Sequence, residues 1–367
     1  MRKPLMLLTL VASTSCLTPT FALPPSPDYA TPLSLAISSL PASANSVGLT
    51  FYWENDGGFA KPNGSTDRHY TAGAALSVDW QAPWVNNLLS QLPSINDEFA
   101  PEHSRYALAV IGSLSIYTPD DLTNPNPILH ERPYAGWLYA GFIAQRSSTA
   151  PNHLPVFEHF ELDIGALGQN SFAREAQDWI HKFFDYTFPQ GWENQIRNEY
   201  GADFKYQRRY RISLLPDHVD LLPEAGFTLG TVHINANVGT TLRFGFNLPQ
   251  DFGPGRKDLP GDFTRARSPS RELTWDNLAH SLGAYGFIRT TGVAVAHDST
   301  LEGSFFGSSP VEVEKEPLYA ELQYGIAIQL LRHIELTYSQ TWRSPQFEGQ
   351  HNWDSTGALT IAFAYAW

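Results

Sequence analysis

The chain has 367 residues, 17% of them charged and 13% aromatic, with 27 glycines, 27 prolines and a formal net charge of −13. Charged residues are scarcer than in an ordinary soluble domain, and the turn formers speak for many connections rather than long helices. The acidic balance excludes a nucleic-acid-binding protein, whose working face carries the opposite sign.

Arg2 and Lys3 precede an apolar run, Leu5 to Val11, and Thr20-Phe21-Ala22 offers a small-residue cleavage site. That order predicts a secretory signal over residues 1–22, removed after Ala22. The single cysteine, Cys16, lies within it, with Ser13 where a lipoprotein signal carries leucine. The mature chain then has no thiol for a disulfide or a metal. Residues 23–45, rich in Pro, Ser and Ala, read as a flexible leader, and 46–367 as one barrel domain.

Past the signal no apolar run reaches the ~18 residues of a membrane helix, but strict alternation is common. Leu359, Ile361, Phe363, Tyr365 and Trp367 alternate with small residues. Leu322, Tyr324, Ile326, Ile328 and Leu330 alternate with Glu321, Gln323, Gly325, Ala327 and Gln329, and Ile234 to Phe244 behaves likewise. Twelve strands are predicted, at 46–55, 71–80, 104–115, 136–147, 157–167, 203–213, 218–230, 233–245, 280–291, 317–330, 333–343 and 355–367. Several match the length of a tilted bilayer-crossing strand. The expected fold is all-β: a twelve-stranded antiparallel transmembrane β-barrel, acting as a monomer. A soluble sandwich also alternates, but its polar faces carry more Lys and Glu, and its chain does not end on an aromatic face.

With both ends on the periplasmic side, segments 56–70, 116–135, 168–202, 292–316 and 344–354 face outward. Segments 81–103, 148–156, 214–217, 246–279 and 331–332 face the periplasm. Segment 246–279, rich in Pro, Gly and charge, has no strand pattern and is expected to be irregular. One outward loop is not loop-like: Ser171 to Tyr186 has helical spacing at Ala173, Ala176, Trp179, Ile180, Phe183 and Phe184, with Ser171 as the expected N-cap.

Residues of catalytic type gather on the outward side. They are Glu54-Asn55-Asp56, Thr66 to Thr71, His130 to Gly136, and His181 with Asp185 one helical turn later. Each has an ordinary reading. Asp56-Gly57-Gly58 is a turn signature, Thr71 a strand residue, His181 a packed helix histidine, and Glu131 with Arg132 a rim ion pair. Histidine supplies a base that works near neutral pH. Asp56, Asp67 and carbonyls are oxygen ligands of the kind a hard cation takes. Zinc fits poorly, because His69, His130 and His181 lie far apart and no cysteine helps.

Together and in this order, Asn55-Asp56, Tyr70-Thr71-Ala72-Gly73, Glu131-Arg132-Pro133-Tyr134-Ala135-Gly136 and Gln177-Asp178-Trp179-Ile180-His181 resemble the outer-membrane lipid A 3′-O-deacylases of the LpxR type. The resemblance spans about 46 to 367, although 81–103 and 246–279 look longer here. It implies a barrel in the outer membrane of a Gram-negative bacterium, with its site facing the exterior. The implied activity is removal of the 3′-acyloxyacyl group of lipid A, within lipopolysaccharide, with Ca2+ as cofactor. By motif, His181 is the implied general base, Asn55 helps hold the oxyanion, Asp56 ligates calcium, and Thr71 lines the metal and ester site. There are two departures. No lysine occurs between 104 and 135, where the family has a functional one, leaving Arg132 as a substitute contact. Thr187 stands where the family has an acidic residue, leaving Asp185 to orient His181. The competing readings are an outer-membrane phospholipase acting on glycerophospholipids and a non-enzymatic pore with the loop helix as its plug. No Gly-x-Ser-x-Gly elbow supports serine chemistry.

Overall fold

The computed structural model describes residues 45–57, 67–94, 97–267, 282–330 and 333–367. The expected signal and leader lie outside these residues except for Asn45, as do 58–66 of the first outward loop. The strands are β1 Ser46–Asn55, β2 His69–Gln81, β3 Ser104–Thr118, β4 Ala135–Ser148, β5 Val156–Leu167, β6 Glu199–Tyr210, β7 Ile212–Leu215, β8 Val219–Gly230, β9 His233–Phe246, β10 Gly283–Asp298, β11 Leu318–Leu330, β12 Ile334–Arg343 and β13 Asp354–Ala366. The short β7 continues β6 along the same neighbour, β8, after a break at Arg211. The thirteen segments therefore make twelve staves. All pairings are antiparallel, and β1 pairs with both β2 and β13, so the sheet closes without an edge. Asn45 and Trp367 exchange backbone hydrogen bonds of 3.2 and 2.9 Å at the seam.

Alternation sorts the side chains as expected. In β11, Leu322, Tyr324, Ile326 and Ile328 are exposed while Glu321, Gln323 and Gln329 are buried. An apolar outside and a charged inside suit a barrel in lipid. Among the described residues no helix is long and apolar enough to cross a membrane. Strand ends differ from the sequence reading mainly at the loop end, the end away from the chain termini. There β2 begins at His69, β6 at Glu199, and β10 runs to Asp298. Hydrogen bonding continues past the apolar band, where polar residues hide the alternation. Helix α1, Pro83–Leu89, interrupts the segment read as loop 81–103 and buries Val85 and Leu89 beside Tyr106.

The segment after β9 is a correction to the expectation of a periplasmic loop. Residues 249–267 turn back into the barrel and fill it. Arg289 donates to Pro254 O (2.8 Å), Gln145 to Gly261 O (3.0 Å), and Phe263 N to Gln145 Oε1 (2.8 Å). Arg256 pairs with Glu321 (2.6 Å), Arg267 with Asp79 (2.6 Å), and Arg265 with Glu335. Reciprocal bonds between Arg256 and Leu259 close the tip of this plug, from which Lys257 reaches Ser115 Oγ at 2.8 Å. Buried charges persist only when paired, and each of these wall partners finds its counterpart on the plug. The loop helix, by contrast, is not the plug. The intact protein is expected to show no steady ion conductance in a planar bilayer, whereas deletion of 251–265 opens the lumen. Steady conductance of the intact barrel would contradict a seated plug.

A candidate active site on the lipid side of the wall

Helix α2, Ala173–Phe184, fills the loop between β5 and β6. Its N-cap is Phe172 rather than Ser171. Phe172 takes the left-handed conformation (φ 57°), and Ser171 Oγ accepts from the Ala173 N–H at 3.3 Å. The helix lies against the outside of the barrel. Ser115 and Tyr117 of β3 line the lumen, so Leu114 and Ile116 face outward, and these pack with Ala173 and Ala176. On β4, Gly136 has the same outward aspect, and a Cβ there would collide with Ser171 Oγ and Ala173 Cβ. Only a residue without a side chain lets the helix approach this closely. Gln177 locks the position by accepting from Trp192 Nε1 (2.8 Å), while Tyr134 packs on Trp192 with centroids 4.9 Å apart.

The helix turns Ala173, Gln177 and His181 toward the protein. Its aromatic side, with Phe172, Trp179, Phe183 and Phe184, is exposed. His181 is 2% exposed. Its Nδ1 lies 2.6 Å from the Thr187 carbonyl and its Nε2 3.9 Å from Asp67 Oδ2. Since a carbonyl only accepts, Nδ1 carries the proton and Nε2 is the acceptor of the neutral ring. Beneath it the wall contributes hydroxyls. Thr71 Oγ1 donates to Thr118 Oγ1 (2.6 Å), which donates to the Asp67 carbonyl (2.9 Å). A bulge between Tyr70 and Ala72 sets Thr71 on this side, because Tyr70 lines the lumen. Asp56 is buried and adjoins the same group: its Oδ2 accepts from Arg68 N (2.9 Å) and its N–H donates to Thr71 O (3.1 Å). Asn55, outward from β1, accepts the Gly57 N–H on Oδ1 at 2.6 Å. Asp67 and His69 hold positive φ angles, 43° and 59°, a conformation that non-glycine residues adopt at some cost.

His181, Asp56, Thr71 and Asp67 thus come together, with Asn55 at the adjoining strand end. The other candidates do not join them. Asp185 is exposed at the left-handed C-cap of α2, so the Thr187 carbonyl, not a carboxylate at i+4, holds the imidazole. Arg132 lies across the wall in the lumen, fully buried. It stacks over Tyr117 (4.3 Å) and donates to Thr300 Oγ1 (2.8 Å) and Gln346 Oε1 (3.3 Å). Glu131 is not its ion-pair partner, because Glu131 Oε1 accepts from the Arg132 backbone N–H (2.9 Å) and from His69 Nε2 (3.1 Å). His69 also bonds Asp354 through Nδ1 (2.7 Å), so this motif clasps β2, β13 and the second outward loop together at the rim. Sequence reasoning missed Thr118 and Gln177 as site residues. Thr118 sits at a strand end with no motif of its own, whereas Gln177, one turn before His181, was within reach.

The chain holds one His-x-Ser triplet, His297-Asp298-Ser299, and it does form a contact, Nε2 to Oγ at 2.8 Å. Ser299 is fully buried, however, and its hydroxyl donates to the Thr231 carbonyl at 3.0 Å. No substrate carbonyl reaches it, so the serine-hydrolase alternative gains nothing from this contact.

A closed, plugged β-barrel with an apolar outside defines an integral outer-membrane protein, and a buried histidine beside clustered oxygens on its lipid side is the outfit of an enzyme. The profile of the family described as outer membrane protein LpxR matches residues 29–365, and the chain belongs to that family. It is accordingly a lipid A 3′-O-deacylase, an ester hydrolase, of the Gram-negative outer membrane. Among solved structures it is similar to LpxR from Salmonella typhimurium, at 20% identity and TM-score 0.62, covering 86% of this chain and 99% of that one. The β domain of the Bordetella autotransporter BrkA aligns at 11% identity and TM-score 0.39, covering 89% and 99% of the two chains. The translocator domain of NalP from Neisseria meningitidis aligns at 8% and 0.36, covering 90% and 91%. Neither of these two similarities carries an argument. No curated protein matches the sequence.

Proposed function

We propose that the protein removes the 3′-linked acyloxyacyl chain of lipid A in the outer leaflet, by calcium-dependent hydrolysis with a histidine-activated water, at a site on the cell-exterior rim. One observation carries this reading: His181 is buried against the lipid side of the wall with Nδ1 committed to a carbonyl and Nε2 turned to Asp67. In this role Nε2 takes the proton of the attacking water and passes it to the leaving alkoxide. In this reading the Asn55 amide donates to the oxyanion, and the Thr71–Thr118 pair lines the ester's seat.

The donors fit a hard cation. Asp56, Asp67, Thr71 and Thr118 offer oxygen only, and burial holds the Asp67 carboxyl above its ordinary range despite His181 nearby, a cost that a cation relieves. Among the described residues no three His, Cys, Asp or Glu side chains share a metal position, so hydroxyls, carbonyls and water would complete a shell held by Asp56 and Thr71. Calcium bound there supplies positive charge to the ester carbonyl.

The exposed aromatic face of α2 is read as seated among acyl chains, with His181 on the opposite face meeting the ester. Acyl-brominated lipids are then expected to quench the emission that is lost on Trp179→Phe replacement. Equal quenching in the parent and this variant would place the helix in water. The decisive test is mass spectrometry of lipid A from membranes carrying the protein, with calcium and with chelator. Loss of one 3′-acyloxyacyl mass only with calcium is expected. Unchanged lipid A alongside newly released phospholipid fatty acids would assign a phospholipase instead.

A further inference from the structure

Back to back with this site, on the inner side of the wall, the plug tip stops below the rim and leaves a cavity of about 170 Å3. Arg132, Lys257 and Arg343, from the second outward loop, the plug tip and the end of β12, line it. They surround one pair of rings, Tyr70 and Tyr117, whose centroids are 5.5 Å apart. The Arg132 guanidinium lies 4.3 Å from the Tyr117 ring centroid, and Lys257 Nζ and Arg343 Cζ each lie 5.8 Å from that of Tyr70. Tyr70 and Tyr117 are the chain neighbours of Thr71 and Thr118, so one thickness of sheet separates the two sites.

The charges in this cavity do not balance locally. Arg343 is matched by Glu321 at 2.6 Å. Arg132 and Lys257, only 1% and 4% exposed, form no ion pair among the described residues. Arg132 meets two neutral oxygens, and its Nε has no acceptor; Lys257 Nζ meets the Ser115 hydroxyl. Three carboxylates line the cavity as well, none of them in an ion pair with Arg132 or Lys257. Glu54 accepts from Tyr70 Oη (2.7 Å) and Lys257 N (3.3 Å), Asp258 pairs with Arg256 (2.9 Å), and Asp298 caps Thr300 (2.8 Å). Two buried cations with no direct ion pair, facing one cavity that also offers hydroxyls and whose lining carries more cations than carboxylates, favour an anion bound between them.

From this juxtaposition we infer that the luminal cavity is a binding site for a phosphate-type oxyanion, held between Arg132 and Lys257 with the Ser115 hydroxyl alongside. A tetrahedral oxyanion suits it because a planar guanidinium and an ammonium can each donate to different oxygens of the same group. The ion comes either from solution, as inorganic phosphate, or from the phosphorylated headgroup of a lipid whose sugars lean over the rim. The inference does not depend on the mechanism proposed for the lipid side, since the two sites share a wall but no residue.

The test is calorimetric titration of the full chain in detergent with inorganic phosphate, against chloride at matched ionic strength, with thermal unfolding in parallel. Saturable binding and a raised Tm with phosphate alone are expected. Arg132→Gln and Lys257→Gln should each weaken binding roughly tenfold, the loss of one charge-assisted contact. His181→Ala should bind phosphate like the parent, which separates failure here from failure of the deacylation mechanism. If Arg132→Gln loses the heat-modifiable mobility of a folded barrel, Lys257→Gln, whose ammonium makes one hydroxyl contact, carries the comparison. Competition by phosphorylated lipid A but not by its dephosphorylated form identifies the headgroup as the source. Competition by neither identifies the free ion, and both outcomes uphold the site. Absence of saturable binding in the parent, or binding undiminished in Lys257→Gln, overturns it.

Discussion

Replacing His181 by Ala is expected to lower deacylation by a factor of about 10²–10⁴, the usual worth of a positioned general base, while the barrel keeps its heat-modifiable mobility. The fold should survive because the imidazole is not what docks α2. The helix is held by Ala173 against Leu114 and Ile116 and by Gln177 on Trp192. Nor does His181 reach the sheet, its polar contacts being the Thr187 carbonyl in its own loop and Asp67 in the first. Mass spectrometry of lipid A reads the activity and gel mobility reads the fold. Retained activity in a folded variant would remove the base from the mechanism and leave the barrel as it is.

The second large effect is expected from a residue with no chemistry at all. Gly136→Leu should cut activity by about 10²-fold, because a side chain there lifts the first turn of α2 from the wall, and displacements near 1 Å are costly when base and substrate must align. His181 rides on that helix, whereas Asp67 and Thr71 belong to the first loop and β2, so the lift separates them. The barrel itself should tolerate the change, since leucine on the lipid face of a strand suits the bilayer. Gly112→Leu is the matched control. It is on the same face of the neighbouring strand, and a Cβ there meets nothing within 4 Å. The control should insert and deacylate like the parent. Equal loss in both variants would mean that bulk on this face, not helix docking, is what matters.

The barrel was legible because lipid and lumen impose opposite demands on successive residues, which writes a period of two into stretches such as Glu321 to Leu330. The histidine and the Asn55-Asp56 pair were legible as local motifs in family order. Other features left no such trace. The plug has no period, because Arg256, Arg265 and Arg267 are spaced to meet Glu321, Glu335 and Asp79 on three different strands. It follows β9 at the end where a periplasmic loop would begin, so parity alone placed it there. The separation of Arg132 from His181 turns on which face of β3 and β4 each neighbour occupies. Residues next to each other in the chain there lie on opposite sides of a membrane wall. Asp185 looked like an orienting acid by helical spacing, but the helix ends at Phe184 and the chain reverses, bringing a backbone carbonyl to the imidazole instead.

The position of α2 on the outside of the staves has a kinetic consequence. If the proposed site opens sideways, its substrate should arrive by lateral diffusion within the leaflet, with no step in which a multi-chain lipid is lifted into water. Turnover should then follow the mole fraction of substrate in the surface, not its amount per volume of suspension. Diluting the vesicles would leave the rate per protein unchanged, whereas diluting lipid A with an inert lipid at constant protein would slow it in proportion.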